Sequence, residues 1–476
     1  MFLVPRQYGY DAMIRTGNQG ITAGFGQLIT LAGVGKDGKD MTNELSYVIL
    51  EVIDEMSPIL EPKPNVRLHR GSPEKLLDKV VEMISTSQGA PFLLNFDERS
   101  MAGLMREAEK TGIPHLINKN NVFDYAPVGC LENTMAGNDR SGTVDNNLNL
   151  IKAVELALTG GKDLLAFTDP LTGLTEKIRQ AGPETGAPGT FKRWEEFYEA
   201  YKRQTRFIIK KIVELYERSE SLRAALFRTP YLLCLVKGCA EKGLDITQGG
   251  AEIGFTTLEA VTFATTVDSL LAVKYLVFDE KKCSLNELID ALKNNWKGYE
   301  KLQAVAKNRA PKYGRDDDQA DRMAREVMDF LTAETWKYST RSTGRRFRPG
   351  MLSWNYWAGD GSIIAASPDG RPKGQFLSNA ICPSNGASHT LTFNPSILKD
   401  AEHRQKFKAF LKGYAENGGT ALQINMLSPE VLKSAQDHPK DYPHLLVRVT
   451  GYNAYFTTIG RELQDEIIAR TSHNRY

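Results

Sequence analysis

The chain has 476 residues, of which 41% are hydrophobic and 25% are charged, a composition typical of a globular protein. Its 60 basic and 58 acidic residues leave a net charge of +2, which excludes the strongly basic footprint of a dedicated nucleic-acid-binding protein. No apolar run approaches the roughly 20 residues that a membrane span needs, and the five cysteines include no pair at C-x-x-C spacing, which argues against structural zinc. The sequence therefore predicts a reduced, cytoplasmic chain without a nucleic-acid, membrane or metal partner.

Hydrophobic periodicity and capping signals predict helices joined by short strands. The segment 42–44 opens a helix that runs to about Met56, and Ser72-Pro73 opens another, with the serine as N-cap. The remaining predicted elements are a strand over 90–95, helices over 98–110, 147–158, 191–218, 222–242, 255–276, 284–305 and 317–338, and strands over 422–426 and 445–450. Helices that alternate with short strands indicate a large α/β architecture.

Common cofactor and hydrolase motifs are absent from the sequence. The segments 20–26 and 33–36 are glycine-rich, but they have neither the dinucleotide fingerprint nor the phosphate-loop spacing. There is no H-E-x-x-H, no G-x-S-x-G and no EF-hand loop, and the seven histidines do not cluster. The sequence therefore predicts no nucleotide site, no hydrolase triad and no metal.

Cys130 is the first residue with candidate chemistry, because it follows Gly129 in a predicted loop and has a carboxylate, Glu132, two residues on. A lone cysteine is more often a small buried hydrophobe. The functional interpretation is a reactive sulfur with a carboxylate for proton transfer. Because no cation is adjacent to stabilise a thiolate, the local chemistry fits hydrogen-atom transfer by a thiol.

Gly451 is the second candidate, since an apolar stretch over 445–449 runs into this one glycine among aromatic residues. The ordinary interpretation is a turn glycine with positive φ. The functional interpretation is a glycine whose α-carbon hosts a radical. Without a Cβ that carbon can flatten, and the neighbouring amide nitrogen and carbonyl delocalise the unpaired electron.

Four segments together resemble the glycyl radical enzymes, the family of pyruvate formate-lyase. Arg448–Tyr452 is similar to the glycyl-radical motif of that family, and Gly129–Glu132 is similar to its thiyl-radical loop. Leu31–Leu45 and Ser367–Arg371 resemble two further family signatures. The four segments occur in the order of the family over almost the whole chain, which makes the match specific although each segment alone is weak.

The resemblance implies an α/β fold, namely part of a ten-stranded α/β barrel of two antiparallel five-stranded half-barrels wrapped by helices. Residues 1–350 would form the pyruvate formate-lyase-like domain and 351–476 the glycine radical domain. No cofactor would be bound, because a separate S-adenosylmethionine-dependent iron-sulfur activase takes a hydrogen atom from Gly451, which then stores the radical. Cys130 would abstract hydrogen from the substrate, and Glu132 would move a proton.

The branch of the family is less sharply indicated. The loop of pyruvate formate-lyase itself looks to have two adjacent cysteines, so the single cysteine of this chain disfavours acyl transfer. Asp145 falls one place late for the Trp-His-Asp stretch of the diol and choline branches, which weakens those two reactions. The resemblance places Glu252 along the substrate, where it would join Glu132, while the ordinary interpretation is a solvated loop carboxylate. The favoured reaction is cleavage of a C–C or C–X bond in a small carboxylate-bearing substrate, with arylacetate-type decarboxylation foremost. A dehydratase, a formate C-acetyltransferase-type member, and a truncated or radical-repair module without turnover of its own stay open as alternatives.

Cys130 comes much earlier in this chain than the resemblance leads one to expect, so the match covers the C-terminal part of a full-length member. A second chain that supplies the N-terminal part, or a truncated gene, would account for this. A radical S-adenosylmethionine activase, a small-molecule substrate and a second copy in a homodimer are the other expected partners.

The other conspicuous residues have ordinary interpretations. Trp354, Trp357 and Tyr338 either stack on an aromatic substrate or pack in the core, and core packing is favoured. Arg345–Arg348 either clamps a carboxylate or forms a solvated basic turn, and the turn is favoured. The remaining cysteines are expected to be structural: Cys234, Cys239, Cys283 and Cys382.

Overall fold

The computed structural model describes most of the chain. The described residues are 28–60, 62–86, 92–129, 131–140, 145–165, 167–168, 175–176, 179–187, 189–351, 356–378, 389–449, 451–470 and 472–473. Cys130, Trp354, Cys382 and Thr450, which the sequence analysis singles out or includes in a motif, lie outside the described residues.

The strands in chain order are β1 (Leu28–Ala32), β2 (Lys63–Leu68), β3 (Phe92–Phe96), β4 (Tyr125–Val128), β5 (Glu132–Met135), β6 (Asn146–Asn147), β7 (Lys162–Asp163), β8 (Phe167–Thr168), β9 (Thr175–Glu176), β10 (Arg179–Gln180), β11 (Phe255–Glu259), β12 (Arg346–Gly350), β13 (His389–Phe393), β14 (Ala421–Met426), β15 (Leu446–Arg448), β16 (Asn453–Tyr455) and β17 (Ser472–His473).

The α-helices in chain order are α1 (Glu44–Met56), α2 (Glu74–Ser85), α3 (Asp97–Lys110), α4 (Leu150–Thr159), α5 (Trp194–Leu226), α6 (Pro230–Leu233), α7 (Cys239–Lys242), α8 (Phe263–Val273), α9 (Leu285–Lys293), α10 (Glu300–Asn308), α11 (Asp318–Thr335), α12 (Tyr356–Ser362), α13 (Ala401–Glu416), α14 (Pro429–Asp437) and α15 (Arg461–Ala469). A π-helical turn, Lys274–Asp279, continues α8. Within the described part of the chain, none of the helices combines the length and the apolar character that a bilayer crossing needs.

The predicted α/β class is confirmed, and its central element is a six-stranded sheet of order β1-β2-β3-β14-β13-β17. Strands β1, β2 and β3 are parallel to one another, and so are β14, β13 and β17. The two parallel groups meet in an antiparallel seam between β3 and β14. A second, parallel sheet has the order β12-β11-β6. Two parallel groups joined antiparallel agree with the half-barrel arrangement that the resemblance implies.

The two faces of the six-stranded sheet differ in chemistry because successive side chains of a strand point to opposite sides. Along β14, the residues Leu422, Ile424 and Met426 join a core cluster that includes side chains of α2 and α13. The alternate residues of β14, Gln423 and Asn425, are buried polar side chains on the other face. This polar face carries the candidate site.

The predicted helices are confirmed where capping and periodicity agree. Helix α1 begins after Asn43, whose side chain accepts a hydrogen bond from the Ser46 amide, and α11 begins after Asp317, which caps it in the same way. The N-cap position before α2 is Pro73 rather than Ser72. The Ser72 hydroxyl instead accepts from the His69 amide.

Four other predicted helices have different bounds in the structure. The predicted helix over 255–276 begins as strand β11, because Thr256 and Thr257 are β-branched residues that suit a buried parallel strand. The predicted break near 219–221 does not occur, since α5 continues to Leu226 and only short helices follow. The predicted helix over 284–305 is divided into α9 and α10, where Gly298 adopts a φ of 84°.

Candidate active site

Two β-hairpins carry the sequence motifs. The cysteine hairpin consists of β4 and β5, which pair antiparallel with Val128 opposite Glu132. Its loop is closed by a hydrogen bond of 2.9 Å from the Leu131 amide to the Val128 carbonyl. Gly129 begins this loop with a φ of 55°, a conformation that glycine adopts without steric cost.

Leu131 fixes the tip of the cysteine hairpin to the sheet. Its side chain is fully buried and belongs to a cluster with Leu93 of β3 and Ala421 of β14. The tip therefore rests on both strands of the antiparallel seam. Leu131 also has a φ of 90°, which for a residue with a side chain is a strained backbone conformation.

The outer strand of the cysteine hairpin is held by a buried ion pair. Arg67 of β2 pairs with both carboxylate oxygens of Asp97, at 2.8 and 3.0 Å, and its guanidinium lies over the Tyr125 ring. The Tyr125 hydroxyl donates to Asp97 at 2.6 Å, and burial together with this carboxylate raises the pKa of Tyr125 well above its usual value. This cluster fixes β4 against the sheet.

The segment Leu31–Leu45, which resembles a family signature, contacts the same cluster of Arg67, Asp97 and Tyr125. The Val34 amide donates to Asp97 at 2.6 Å. Gly33 has a φ of 94°, and a Cβ there would lie 2.7 Å from the Arg67 Nε. Only glycine fits this close approach of backbone to guanidinium.

The inner strand of the cysteine hairpin is tied to the sheet by three buried amide side chains. Asn65 of β2 donates to Asn95 of β3 at 2.7 Å, and Asn95 donates to Asn133 of β5 at 3.3 Å. Next to Asn133, the side chain of Glu132 is 4% exposed. A Cβ on Gly129 would lie only 3.2 Å from the Glu132 Oε2, so the glycine leaves room for this carboxylate.

The glycine hairpin consists of β15 and β16, and Gly451 lies in its turn. The Val449 amide donates to the Tyr452 carbonyl at 3.0 Å and closes the turn. Gly451 is buried and has a φ of 78°, so both interpretations of this glycine are compatible with its backbone.

Strand β14 holds the glycine hairpin through the polar residues of its inner face. Asn425 accepts from the Arg448 amide at 2.8 Å and donates to the Arg448 carbonyl at 3.0 Å. The fully buried guanidinium of Arg448 donates to Gln423 at 2.6 Å and to Asn453 at 2.9 Å. The hairpin is therefore fixed through both its main chain and its arginine side chain.

Arg470, just after α15, adds a second clamp. Its guanidinium donates to the carbonyls of Arg448 and Val449 at 3.2 and 2.6 Å, and it is bidentate to Glu466 at 2.8 and 3.1 Å. Neither the two amides of β14, Gln423 and Asn425, nor Arg470 is predicted from the sequence as part of the site. The available signal is two polar residues spaced by two within an otherwise apolar strand.

A narrow cavity lies beside Glu132. Strand β5 contributes Glu132 and Asn133, β11 contributes Thr257 and Glu259, and β12 contributes the segment Arg348–Gly350. The cavity therefore brings together two carboxylates, a guanidinium and a threonine hydroxyl, all on strands rather than on loops.

Arg348 is the cation of this cavity, and it is 4% exposed. Its NH1 donates to the Asn133 carbonyl at 3.3 Å and lies 3.5 Å from Glu107. Burial alone would lower the pKa of Arg348, but the carboxylates of Glu107, Asp139 and Glu259 outweigh it and raise that pKa. The guanidinium is therefore permanently charged.

The predicted solvated basic turn over Arg345–Arg348 is wrong. Arg345 is 3% exposed and pairs with the buried Glu220 at 2.6 Å. Residues 346–350 form strand β12, and both Arg345 and Arg348 pair with buried carboxylates, Glu220 and Glu107, rather than with water.

Glu252 does not lie among the described residues that line the cavity. Its side chain is 29% exposed, accepts from Asn138 at 3.0 Å and pairs with Lys237 at 3.1 Å. Partial burial would raise the pKa of Glu252, but these two partners lower it. The second carboxylate at the cavity beside Glu132 is Glu259 instead, and a substrate-binding role of Glu252 stays a prediction.

Asp145 is likewise used within the protein. Its carboxylate is bidentate to Arg140, at 2.8 and 3.1 Å, and accepts from the Thr257 amide at 3.1 Å. The late position of Asp145 in the sequence thus coincides with a role in fixing β11.

The remaining motif residues have structural surroundings. Ser367–Arg371 forms a turn in which Arg371 donates to the Ser367 hydroxyl at 3.1 Å and to the Ala365 carbonyl at 2.6 Å. Trp357 is fully buried in the largest core cluster, as predicted. Burial raises the pKa of Cys283 to about 11, which disfavours the thiolate form of this residue.

Comparison with known proteins adds family information to this geometry. Residues 10–358 match the family model described as pyruvate formate lyase-like, and residues 375–457 match the one described as glycine radical. The trans-4-hydroxy-L-proline dehydratase of Clostridioides difficile is 32% identical over 93% of this chain and 56% of its own length. The isethionate sulfite-lyase of Nitratidesulfovibrio vulgaris is 31% identical over 94% of this chain and 55% of its own length. The chain thus spans a little more than half the length of these relatives.

A solved structure has the same fold. The glycerol-bound form of the B12-independent glycerol dehydratase from Clostridium butyricum superposes with a TM-score of 0.86, at 29% identity, over 97% of this chain and 58% of that one. The indoleacetate decarboxylase of Tractidigestivibacter scatoligenes is a more distant relative, 26% identical over 92% of this chain and 53% of its own length.

Proposed function

Because the chain belongs to the pyruvate formate lyase-like family of glycyl radical enzymes, we propose that it acts as a glycyl radical lyase. In this proposal Gly451 stores an organic radical, Cys130 abstracts a hydrogen atom from a small substrate, and Glu132 moves a proton. The observation that carries the proposal is that the hairpins of both motifs are anchored on one polar sheet face, at the seam between β3 and β14.

The proposed chemistry uses each residue for one task. The radical of Gly451 takes the hydrogen atom of the Cys130 thiol, and the resulting thiyl radical takes a hydrogen atom from a substrate carbon. Glu132 accepts the proton of the substrate hydroxyl as the neighbouring C–X bond breaks, and it then passes that proton to the leaving group, which departs as HX and leaves Glu132 ionised again. The product radical recovers its hydrogen atom from the Cys130 thiol, so the net reaction is an elimination without any external oxidant or reductant.

The proposed reaction class is cleavage of a carbon–heteroatom bond, with dehydration foremost. Support comes from the relatives at 31–32% identity, which are a dehydratase and a sulfite-lyase, and from the structural neighbour, another dehydratase. Decarboxylation of an arylacetate-type substrate is the second candidate, and its support is the more distant indoleacetate decarboxylase.

The proposal includes partners and a working environment. An S-adenosylmethionine-dependent iron-sulfur activase would install the radical, and an oxygen-free cytoplasm would preserve it. We retain a division near residue 350 into a pyruvate formate-lyase-like part and a glycine radical part. A homodimer and a second chain stay predictions. The molar mass from light scattering, measured on the chain alone and after co-expression with candidate partners, tests both.

The decisive experiment is anaerobic activation followed by electron paramagnetic resonance. We expect a doublet signal from the wild type after incubation with the cognate activase, because the Gly451 α-hydrogen couples to the unpaired electron when one hydrogen remains. Gly451→Ala should give no doublet, and Cys130→Ala should keep the doublet but abolish turnover of any substrate that the wild type converts.

Gly374→Ala is the matched control for backbone strain, since Gly374 also has a φ of 78° and a Cβ there meets no atom within 4 Å. This variant should keep both signal and turnover. A doublet that persists in Gly451→Ala contradicts the radical assignment. A wild-type radical without turnover in a broad screen of alcohols and carboxylates would favour the radical-repair alternative.

A further inference from the structure

We infer that the chain has a further ligand-binding site, a pocket on the apolar face of the six-stranded sheet, and that this pocket takes a small amphiphilic carboxylate. The inference does not depend on the proposed function, because the pocket lies on the opposite side of the sheet from both motif hairpins. It concerns binding alone and involves no bond-breaking step.

The pocket lies where strands β2 and β3 end. Its volume is about 250 Å³, and it is lined by residues that end or follow these two strands, by α2, by the first turn of α3 and by the last turns of α13. A single buried water needs only about 10–15 Å³ of cavity. The pocket therefore has room for an organic molecule of roughly ten non-hydrogen atoms.

The sheet itself separates this pocket from the candidate active site. On β2, Leu68 lines the pocket, whereas the neighbouring Arg67 lies over the Tyr125 ring of the cysteine hairpin. On β3, Phe96 lines the pocket, whereas the neighbouring Asn95 donates to an asparagine of that hairpin. Because neighbouring residues of a strand point to opposite faces, a ligand in the pocket does not reach the motif hairpins.

The floor of the pocket is apolar. Four buried members of the core cluster between the sheet, α2 and α13 line it: Leu68, Leu77, Phe96 and Leu411. On the α13 side the lining residue Ala415 has a small side chain, which leaves the space open. The alkyl or aromatic part of a ligand would remove this apolar floor from water, which favours binding.

The walls of the pocket are fixed in place by polar contacts between helices. Lys408 of α13 pairs with Glu74 of α2 at 2.6 Å. On the other side, Arg99 of α3 donates to the carbonyls of Ala415 and Glu416 at 3.2 and 2.6 Å, at the C-terminal end of α13. The pocket is therefore formed without a ligand, so binding requires little ordering of the chain.

The charges around the pocket favour an anionic head group. Arg70 and Lys412 are exposed lining residues, and neither side chain has an ion-pair partner within the described part of the chain. Together with Arg99 they outnumber the two acidic lining residues, Glu98 and Glu416, and one oxygen of Glu98 already accepts from the Arg70 amide at 2.8 Å. A carboxylate that extends from the apolar floor to the opening therefore meets an excess of positive charge.

Calorimetric titration of the unactivated chain tests this inference with three ligands that share an eight-carbon chain and differ in the head group. The ligands are octanoate, octan-1-ol and octylamine. For the wild type we expect octanoate to bind most tightly and octylamine most weakly, with at least a three-fold difference between these two. The double variant Arg70→Glu/Lys412→Glu should reverse this order, because it replaces both exposed cations by anions.

Lys406→Glu is the matched control for charge, since Lys406 is an exposed lysine of the same helix that does not line the pocket. It should keep the wild-type order of the three ligands. For the location of the ligand, Ala415→Phe should weaken octanoate binding at least ten-fold, because the ring occupies the pocket. Ala409→Phe places the same ring at an exposed position of α13 outside the lining, and octanoate affinity should stay within two-fold of the wild type.

Three results would overturn the inference: no binding of octanoate by the wild type, unchanged octanoate binding in Ala415→Phe, or an unreversed order in the double charge variant. The charge variant changes exposed side chains only, so it keeps the test decisive if Ala415→Phe does not fold. None of these measurements needs the radical. Activation of the same preparations, followed by electron paramagnetic resonance, tests the proposed function separately, and the doublet should be the same in all variants.

Discussion

Leu131 combines a left-handed backbone with a fully buried side chain, and this combination reverses the usual order of stability between alanine and glycine variants. Leu131→Ala loses the contacts with Leu93 and Ala421, at a cost of about 2–5 kcal/mol, and keeps the strain of a φ of 90°. Leu131→Gly loses the same contacts but relieves about 1 kcal/mol of strain. We expect Leu131→Gly to have the higher apparent melting temperature.

Leu94 of β3 provides the comparison, since it is equally buried but has an ordinary strand conformation on the opposite face of the sheet. There the alanine variant should be more stable than the glycine variant by about 0.5–1 kcal/mol. Thermal unfolding of the four variants decides the question. Alanine proving better than glycine at both positions would show that the conformation of Leu131 stores no strain.

At the scale of elements, the site residues that the sequence predicts are those in contiguous motifs. Short motifs with recognisable neighbours make three residues predictable from the sequence: Gly451, Cys130 and Glu132. Glu259 and Arg348 come together at the cavity only through the pairing of β11 with β12, nearly ninety positions apart in the chain. From their local sequence, Glu259 is predicted to lie in a helix and Arg348 in a solvated basic turn. Both predictions fail because strand partners that are distant in sequence decide conformation and burial.

The same limit explains Gln423 and Asn425. The strand over 422–426 is predictable from its apolar residues. The amide side chains that alternate with these residues only interrupt the apolar pattern, and nothing in the local sequence indicates their role. They are informative only once a buried hairpin is known to pack against that face, because buried polar groups are retained where they are hydrogen-bonded. The fold class is therefore predictable from the local sequence pattern, while the buried polar residues that hold the glycine hairpin are not.

The attachment of the glycine hairpin to β14 leads to a prediction about local opening. Asn425→Ala removes the acceptor of the Arg448 amide and one donor to its carbonyl. A buried group that loses its partner costs about 1–3 kcal/mol, so we expect hydrogen–deuterium exchange across 446–455 to accelerate at least five-fold. Exchange in β2 should stay unchanged.

Asn417→Ala is the corresponding control, since Asn417 is an exposed residue after α13 that donates to the Gly413 carbonyl at 2.9 Å. Exchange across 446–455 should be the same in this variant as in the wild type. Unaltered exchange of the hairpin in Asn425→Ala would mean that Gln423, Asn453 and Arg470 suffice to hold it.

At the scale of the whole molecule, Asp268 makes stability depend on pH. This residue lies on the buried helix α8, and its carboxylate accepts from the Tyr313 amide at 2.8 Å. Burial raises its pKa to about 7, from an ordinary value of 3.8, and the nearby Asp369 adds to the effect while Lys312 opposes it. The folded chain thus keeps a proton on Asp268 at pH values where the unfolded chain has released it.

Because the folded pKa is the higher one, this proton stabilises the fold fully below about pH 4, and the stabilisation is lost as pH rises through about 7. Asp268→Asn keeps an acceptor for Tyr313 but has no proton to lose. Its free energy of unfolding relative to the wild type should therefore grow by about 1.4 kcal/mol per pH unit in that window and level off above it.

Val267→Ala, a neutral change at a fully buried neighbour, is the control, and its free energy of unfolding should differ from that of the wild type by the same amount at every pH. Apparent melting temperatures of the three proteins between pH 5 and 8.5 measure both differences, and parallel curves for Asp268→Asn and the wild type would contradict a raised pKa.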